Sequence, residues 1–150
     1  ILTYANEFFS LLSRGRYSLR RLEGSAGGNA KSGLDLEVLD GFTGAPRSIE
    51  TLSGGEQFLA SLSLAFGLSD VVQSYSGSVR LDSIFIDEGF GSLDQDTLDT
   101  AMKALSQIQK MGRTVGIISH VSELKNRIAT QIQVHPSKNG GSSITMIKDA

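Results

Sequence analysis

Two adjacent carboxylates, Asp87 and Glu88, directly follow the apolar run Ile84-Phe85-Ile86. Such a run fits a short buried strand of the parallel type, and in open α/β sheets ligands bind beyond the carboxyl ends of strands. Two acids placed there need a reason, because burying unpaired charge is costly. A metal–phosphate site supplies one: the first carboxylate holds Mg²⁺, usually through water, and the second orients or deprotonates an attacking water. An ordinary strand end with two solvated acids accounts for the same residues, and the motif by itself leaves both readings open.

A second candidate is Leu52-Ser53-Gly54-Gly55-Glu56, which leads into a long helical stretch. Free backbone N–H groups and the positive end of the helix dipole suit an anion at that place, and Gly54 and Gly55 let the backbone approach a phosphate closely. The competing account is a Ser53 N-cap with Glu56 in the capping-box position. His120 follows Thr114–Ile118, which reads as another buried strand, so it falls at a second strand carboxyl end. A histidine there can donate to a γ-phosphate, although a lone histidine more often packs or caps. Asp94, in Ser92-Leu93-Asp94, precedes a helix and fits its N-cap. One lookalike is rejected. Ser25 to Ser32 reads S-A-G-G-N-A-K-S, near the phosphate loop G-x-x-x-x-G-K-[ST], but Ser25 and Ala30 replace both required glycines, and a strand rather than a helix follows.

The elements that must position these residues follow from hydrophobic period and turn signals. Tyr4 to Ser13 reads as a short amphipathic helix ended by Gly15. Tyr17–Leu22 and a strand from Leu34 to Leu39 form a hairpin across the Gly-rich loop 23–33; Gly41 to Ser48 reads as a loop. Phe58, Leu59, Leu62, Ala65, Phe66, Leu68, Val71 and Val72 mark the helix after Glu56, and Ser74 to Ser78 breaks it. Leu98, Ala101, Met102, Leu105 and Ile108 mark another, closed by Gly112. A short helix spans about 121–128, and Ile132–Val134 with Ser143–Ile147 form a closing hairpin across Asn139-Gly140-Gly141. The second half thus alternates strand and helix, the α/β signature.

The 150 residues suffice for one domain with a core, and 39% of them are hydrophobic. A net charge of -2 argues against a chain that binds nucleic acid or membrane over its whole surface. Arg14, Arg16, Arg20 and Arg21 cluster early and read as solvated side chains in preference to a phosphate-contacting patch. The absence of cysteine excludes disulfides and thiolate metal sites and fits a reducing compartment. No apolar run approaches the ~20 residues of a membrane helix, and no signal peptide is visible. The start at Ile1, inside an amphipathic segment, predicts residues upstream.

In order and spacing, Leu52–Glu56, Ile84–Glu88, Ser92-Leu93-Asp94 and His120 resemble the signature, Walker B, D-loop and switch motifs of ABC-class ATPases. Gly89-Phe90-Gly91, the strand pair before the signature and Ile118-Ser119-His120-Val121 are similar to the SbcC family of SMC-like DNA-repair ATPases; the likeness runs from about residue 14 to 148. The resemblance implies an α/β fold: the C-terminal lobe of an ABC-type, P-loop NTPase head, a mostly parallel sheet with flanking helices plus an N-terminal β-hairpin. It implies that Asp87 helps coordinate Mg²⁺, that Glu88 activates the hydrolytic water, and that His120 contacts the γ-phosphate of ATP in the same head. Ser53 and Gly55, within the signature that includes Gly54 and Glu56, would meet the γ-phosphate of ATP held by an opposite head, and Asp94 would couple the two sites.

The implied partners are the N-terminal half of the same head, which supplies the phosphate loop; a second copy of the head; an SbcD-like nuclease subunit; and double-stranded DNA. The implied location is cytoplasmic, with no membrane. Without the phosphate-loop half the chain is expected to hydrolyse no ATP, and apolar sheet surface is expected to lie uncovered. With only two histidines and no dense ligand cluster, the nuclease chemistry is assigned to the partner. Two other readings stay open: a transporter or recombination-type ABC ATPase, against which Gly89-Phe90-Gly91 weighs, and a non-catalytic ABC-like assembly module, against which the intact Asp87, Glu88 and His120 weigh.

Overall fold

A computed structural model describes residues 1–22, 36–76, 81–137 and 140–148. The Gly-rich loop, the phosphate-loop lookalike at 25–32, Leu34, Asp35, Ser78 and Asn139 lie outside the described residues. The chain divides into two compact units, Ile1–Ile118 and Ser119–Ala150.

In the first unit, helix α1 (Leu2–Leu12) buries Ala5, Phe9 and Leu12. It ends through two successive left-handed residues, Arg14 (φ 54°) and Gly15 (φ 79°), with Gly15 N–H donating to the Ser10 carbonyl at 2.7 Å. That reversal feeds β1 (Tyr17–Arg21), which pairs antiparallel with β2 (Leu36–Asp40) in a register that sets Tyr17 opposite Asp40 and Leu19 opposite Val38. The expected hairpin is therefore present and has a third strand. β3 (Ala45–Ser48) pairs with β2, so the loop expected over 41–48 is corrected: its second half is strand. Pro46 and Gly44 carry a loop signal, but proline is tolerated on an edge strand, where a donor is dispensable, and β3 is an edge of the order β1-β2-β3. The opposite edge, β1, is closed by Asn6 of α1. Its side chain accepts from Leu19 N–H at 2.6 Å and donates to the Leu19 carbonyl at 2.9 Å.

After a 3₁₀ turn (Ile49–Thr51), helix α2 runs from Gly54 to Ser76. The break expected at Ser74 is corrected: Ser74 donates its hydroxyl to the Val71 carbonyl at 2.8 Å inside the continuing helix, an accommodation open to serine. Helices α1 and α2 cross at Gly67, where a Cβ would lie 2.5 Å from Ala5 N and 2.8 Å from Ala5 Cα. Strand β4 (Ser83–Asp87), a 3₁₀ turn (Phe90–Ser92), helix α3 (Gln95–Lys110) and β5 (Thr114–Ile118) complete the unit, with β4 and β5 parallel and Asp87 opposite Ile118. The crossover helix buries Leu98, Ala101, Leu105 and Ile108 of the 3.6-residue stripe read from the sequence; Ala104 is buried with them, whereas Met102 is only half-buried. Arg113, just before β5, pairs with Asp70 of α2.

β4 and β5 are strands as expected, but the expected burial is corrected. Ile86 is buried, whereas Phe85 is 75% and Ile118 56% exposed. Side chains alternate across a strand, so Ile86 faces the packed side and Phe85 the other. There the Phe85 ring lies against Gly116 of β5.

In the second unit, a short helix α4 (Ser122–Lys125) precedes the antiparallel pair β6 (Thr130–Pro136) and β7 (Ser142–Lys148), the closing hairpin of the sequence. Its register sets Ile132 opposite Met146 and Val134 opposite Ile144, and all four side chains are more than half exposed.

The α1–α2 crossing yields a direct test. Gly67→Ala forces a methyl group into the backbone of Ala5, which cannot give way as a flexible side chain would. Thermal unfolding is expected to show a loss of about 1–3 kcal/mol; an unchanged Tm would mean the two helices do not cross at Gly67.

Candidate functional site

The first unit holds a cleft of about 280 Å³ where the end of α1 meets the N-termini of α2 and α3. Its lining includes Arg14, Arg16, Ser53, Gly55, Glu56 and Asp94, so four of the sequence candidates share one surface. Ser53 and Glu56 form a reciprocal capping box. Glu56 N–H donates to Ser53 Oγ at 3.3 Å, and Ser53 N–H donates to Glu56 Oε2 at 2.9 Å. Gly55 is packed tightly: a Cβ there would sit 3.1 Å from the Ser92 carbonyl oxygen and 3.2 Å from Leu93 Cδ2. Glycine at 55 therefore lets the start of α2 approach the turn that carries Asp94, whatever else its backbone does.

Asp94 caps α3, accepting from Thr97 N–H and from Thr97 Oγ1 at 2.9 Å each. Those two hydrogen bonds hold its carboxyl below the usual carboxylate range. Arg14 reaches across from its left-handed position to the same helix. It donates to Thr100 Oγ1 at 2.7 and 3.0 Å and to the Asp96 carbonyl at 3.1 Å.

Asp87 and Glu88 are exposed at the carboxyl end of β4. Glu88 N–H donates to the Ile118 carbonyl at 2.9 Å, which extends the parallel ladder by one residue. Glu88 itself adopts φ 62°, a conformation that L side chains rarely take and that clusters at functional sites. Gly89 follows at φ 100°, and a Cβ there would fall 2.3 Å from the Phe58 ring of α2. The Phe58 ring meets buried Phe90 edge-on at 5.0 Å. Gly89-Phe90 thus anchors the turn: the glycine allows the sharp reversal and the close approach, and the phenylalanine pins it to α2.

Among the described residues no group of three or more His, Asp or Glu converges on a metal position. Mg²⁺ is usually held by one or two carboxylates together with waters and substrate phosphates, so the exposed Asp87 carboxylate fits that donor set. His120 is exposed and belongs to the second unit, between β5 and α4.

The sequence reading missed the residues behind the cleft. Tyr17 O–H donates to Glu56 Oε1 at 2.6 Å, and Arg47 donates to Tyr17 Oη at 2.9 Å. Arg16 donates to Asp40 Oδ2 at 3.1 Å, and Arg16 and Arg47 lie 3.6 and 3.7 Å from the Glu56 carboxylate. Burial, then the bond to Glu56, pushes the Tyr17 phenol up to about 12. Burial would raise Glu56, but hydrogen bonds from Tyr17 and Ser53 and the charge of Arg16 hold it below its ordinary value. The Arg16 hydrogen bond, then the Phe42 N–H, lowers Asp40. Arg20 pairs with Glu37 at 3.1 Å, so Arg14, Arg16 and Arg20 are engaged with protein acceptors and not simply solvated. A signal for Asp40 was available, since alternation in Leu36-Glu37-Val38-Leu39-Asp40 places it on the face of buried Val38, where a carboxylate demands partners.

A family model described as "SbcC/RAD50-like, Walker B motif" matches residues 23–107. The chain is 55% identical over 140 residues to the SbcC subunit of the SbcCD nuclease from Vibrio cholerae, covering 93% of this chain and 14% of that protein. It is 52% identical over 135 residues to the corresponding protein of Staphylococcus saprophyticus, covering 89% of this chain and 13% of that protein. It therefore spans about one-seventh of the length of these relatives. Its fold is that of SMC heads. The SMC head domain from Thermotoga maritima aligns with a TM-score of 0.64 at 19% identity, over 99% of this chain and 48% of that one. An SMC head bound to the C-terminal winged-helix domain of ScpA aligns at 0.70 and 20%, over 98% and 42%.

Asp40 yields a pH test. Its folded-state pKa is depressed, so its stabilisation is complete above the unfolded-chain value of about 3.9 and is lost as pH falls through the lower folded value. Asp40→Asn is expected to lower Tm at pH 7, with the deficit shrinking as pH drops from about 3.9 toward the lower folded value. A deficit of constant size down to pH 3 would contradict this role.

Proposed function

Since the chain belongs to the SbcC/RAD50-like family, we propose that it is the signature-bearing half of an ABC-type ATPase head. In this reading it binds ATP and Mg²⁺ and powers a nuclease complex that processes DNA double-strand ends. The observation that carries the reading is the gathering of Ser53, Gly55 and Asp94 on one cleft, beside a turn that holds Glu88 in a left-handed conformation just past a parallel strand.

The assigned roles follow from donor and acceptor chemistry. Ser53 Oγ already accepts from Glu56 N–H, which leaves its O–H proton to donate to a phosphate oxygen. Gly55 lies in the first turn of α2, where backbone N–H groups lack helical acceptors and favour an anion. Both would meet the γ-phosphate of a nucleotide bound to a second copy of the head. Asp94, rigid at the cap of α3, would couple the two sites. Asp87 would hold Mg²⁺, which supplies charge neutralisation at the phosphate oxygens. Glu88 would take the proton of the attacking water as its oxygen bonds to the γ-phosphorus and the bond to ADP breaks. His120 would donate a hydrogen bond to the γ-phosphate of the same head.

The phosphate loop belongs, in this proposal, to the N-terminal half of the head, so turnover requires that half. The exposed apolar residues support a need for cover: Phe85 and Ile118 in the first unit, and the Ile132, Val134, Ile144 and Met146 face in the second. The SbcCD name of the relatives supports a separate nuclease subunit as a further partner; double-stranded DNA as the substrate of the assembly rests on the family resemblance. Among the described residues no helix is long and apolar enough to cross a membrane.

Two variants of the intact head test the assignments. Glu88→Gln is expected to lower ATP turnover by about 100-fold or more while ATP-dependent dimerisation, followed by sedimentation, persists. Turnover near wild type would remove Glu88 from the role of base. Ser53→Arg is expected to abolish the ATP-dependent dimer by crowding the partner's phosphate position, and a dimer of unchanged affinity would refute the sandwich.

A further inference from the structure

Glu56 closes the capping box with one carboxylate oxygen and serves another contact with the other. Oε2 accepts Ser53 N–H at 2.9 Å, while Oε1 accepts the Tyr17 phenol at 2.6 Å. Tyr17, Arg16 and Arg47 enclose this carboxylate. The enclosing groups come from the two edge strands of the first sheet or their entry, Arg16 and Tyr17 at β1 and Arg47 on β3, and Asp40 on β2 backs the two arginines. Tyr17 is the link common to them. Its ring is 4% exposed, stacks on Phe9 at 5.8 Å, and lies under the guanidinium groups of Arg16 and Arg47 at 4.6 and 5.2 Å. Its hydroxyl receives Arg47 and donates to Glu56. None of the chemistry assigned above uses these groups.

We infer that Tyr17 is a positioning residue: through its hydrogen bond to Glu56 it holds the Ser53–Glu56 turn in the geometry that meets a second head's nucleotide. It ties that turn to the three-stranded sheet. The sheet and the nucleotide-facing turn are thereby one mechanical unit. This inference rests on the ATP-sandwich reading and adds to it a residue outside the sequence motifs.

Tyr17→Phe keeps the ring on Phe9 and removes only the hydroxyl. In the intact head, the protein concentration giving half-maximal ATPase rate is expected to rise about tenfold, the low end of what a hydrogen bond to a charged group contributes. The rate per dimer at saturating protein is expected to stay close to that of the unsubstituted head. Glu56→Gln is expected to shift the same midpoint, and the double variant to shift it no further than the larger single change, because both remove one interaction. Glu56 is partly exposed, so this variant supports the same reading if Tyr17→Phe fails to fold. Val38→Ala, a cavity variant in β2, is expected to lower Tm without moving the midpoint. The inference is overturned if Tyr17→Phe leaves the midpoint in place while Glu56→Gln moves it, or if Val38→Ala moves it equally. If Ser53→Arg also leaves the dimer intact, the sandwich reading itself falls, and the role of Tyr17 with it.

Discussion

The carboxylate of Glu56 is the point on which the placement of the site depends. It satisfies the first orphan donor of α2 through Ser53 N–H, and it accepts a phenol donated from β1. Two guanidinium groups stand within 4 Å, and both also pair with buried Asp40, Arg16 at 3.1 Å and Arg47 at 4.0 Å. A half-buried acid of this kind is tolerable because each of its oxygens accepts a hydrogen bond and has a positive neighbour. The result is a helix whose N-terminus is positioned by a sheet distant in sequence, and not by its own capping residues alone.

Close backbone approach positions the remaining parts. Three glycines let α2 lie against its neighbours without an intervening side chain or at a reversal only glycine makes easily. Gly67 admits α1, Gly55 admits the turn at Ser92-Leu93, and Gly89 admits the Phe58 ring. Through the last two, α2 fixes the segment from Glu88 to Asp94 from both ends. The left-handed backbone of Glu88 persists because the ladder bond to Ile118 holds it on one side and the buried Phe90 on the other. Strain of order 1–3 kcal/mol at such a residue survives only where surrounding packing over-determines it.

The apolar surfaces follow from strand geometry. Phe85, Ile118 and the β6–β7 face carry residues with the hydrophobicity of a core and the exposure of a surface. Alternation along β4 explains why Ile86 and Phe85 differ so sharply, and cross-strand register explains why Ile132, Val134, Ile144 and Met146 fall together. Strands that read from sequence as buried need a second layer on both faces to be so.

What the sequence determined by itself was everything carried by neighbours along the chain. The 3.6-residue stripe of α3, the capping box at Ser53 and Glu56, the Asp94 cap and the alternation of β1 all depend on residues a few positions apart, where hydrogen-bond reach and side-chain direction follow from local backbone geometry. The order of the motifs was likewise written in the chain. Tertiary structure decided the rest. It turned Ala45–Ser48 from loop to strand by pairing it with β2, carried α2 through Ser74, and left the β4–β5 pair open on one side. It also brought Tyr17 to Glu56 across 39 positions, and Arg14 to Thr100 across 86. Such pairs have no local signature, because which donor meets which acceptor depends on how the helices cross and how the strands register.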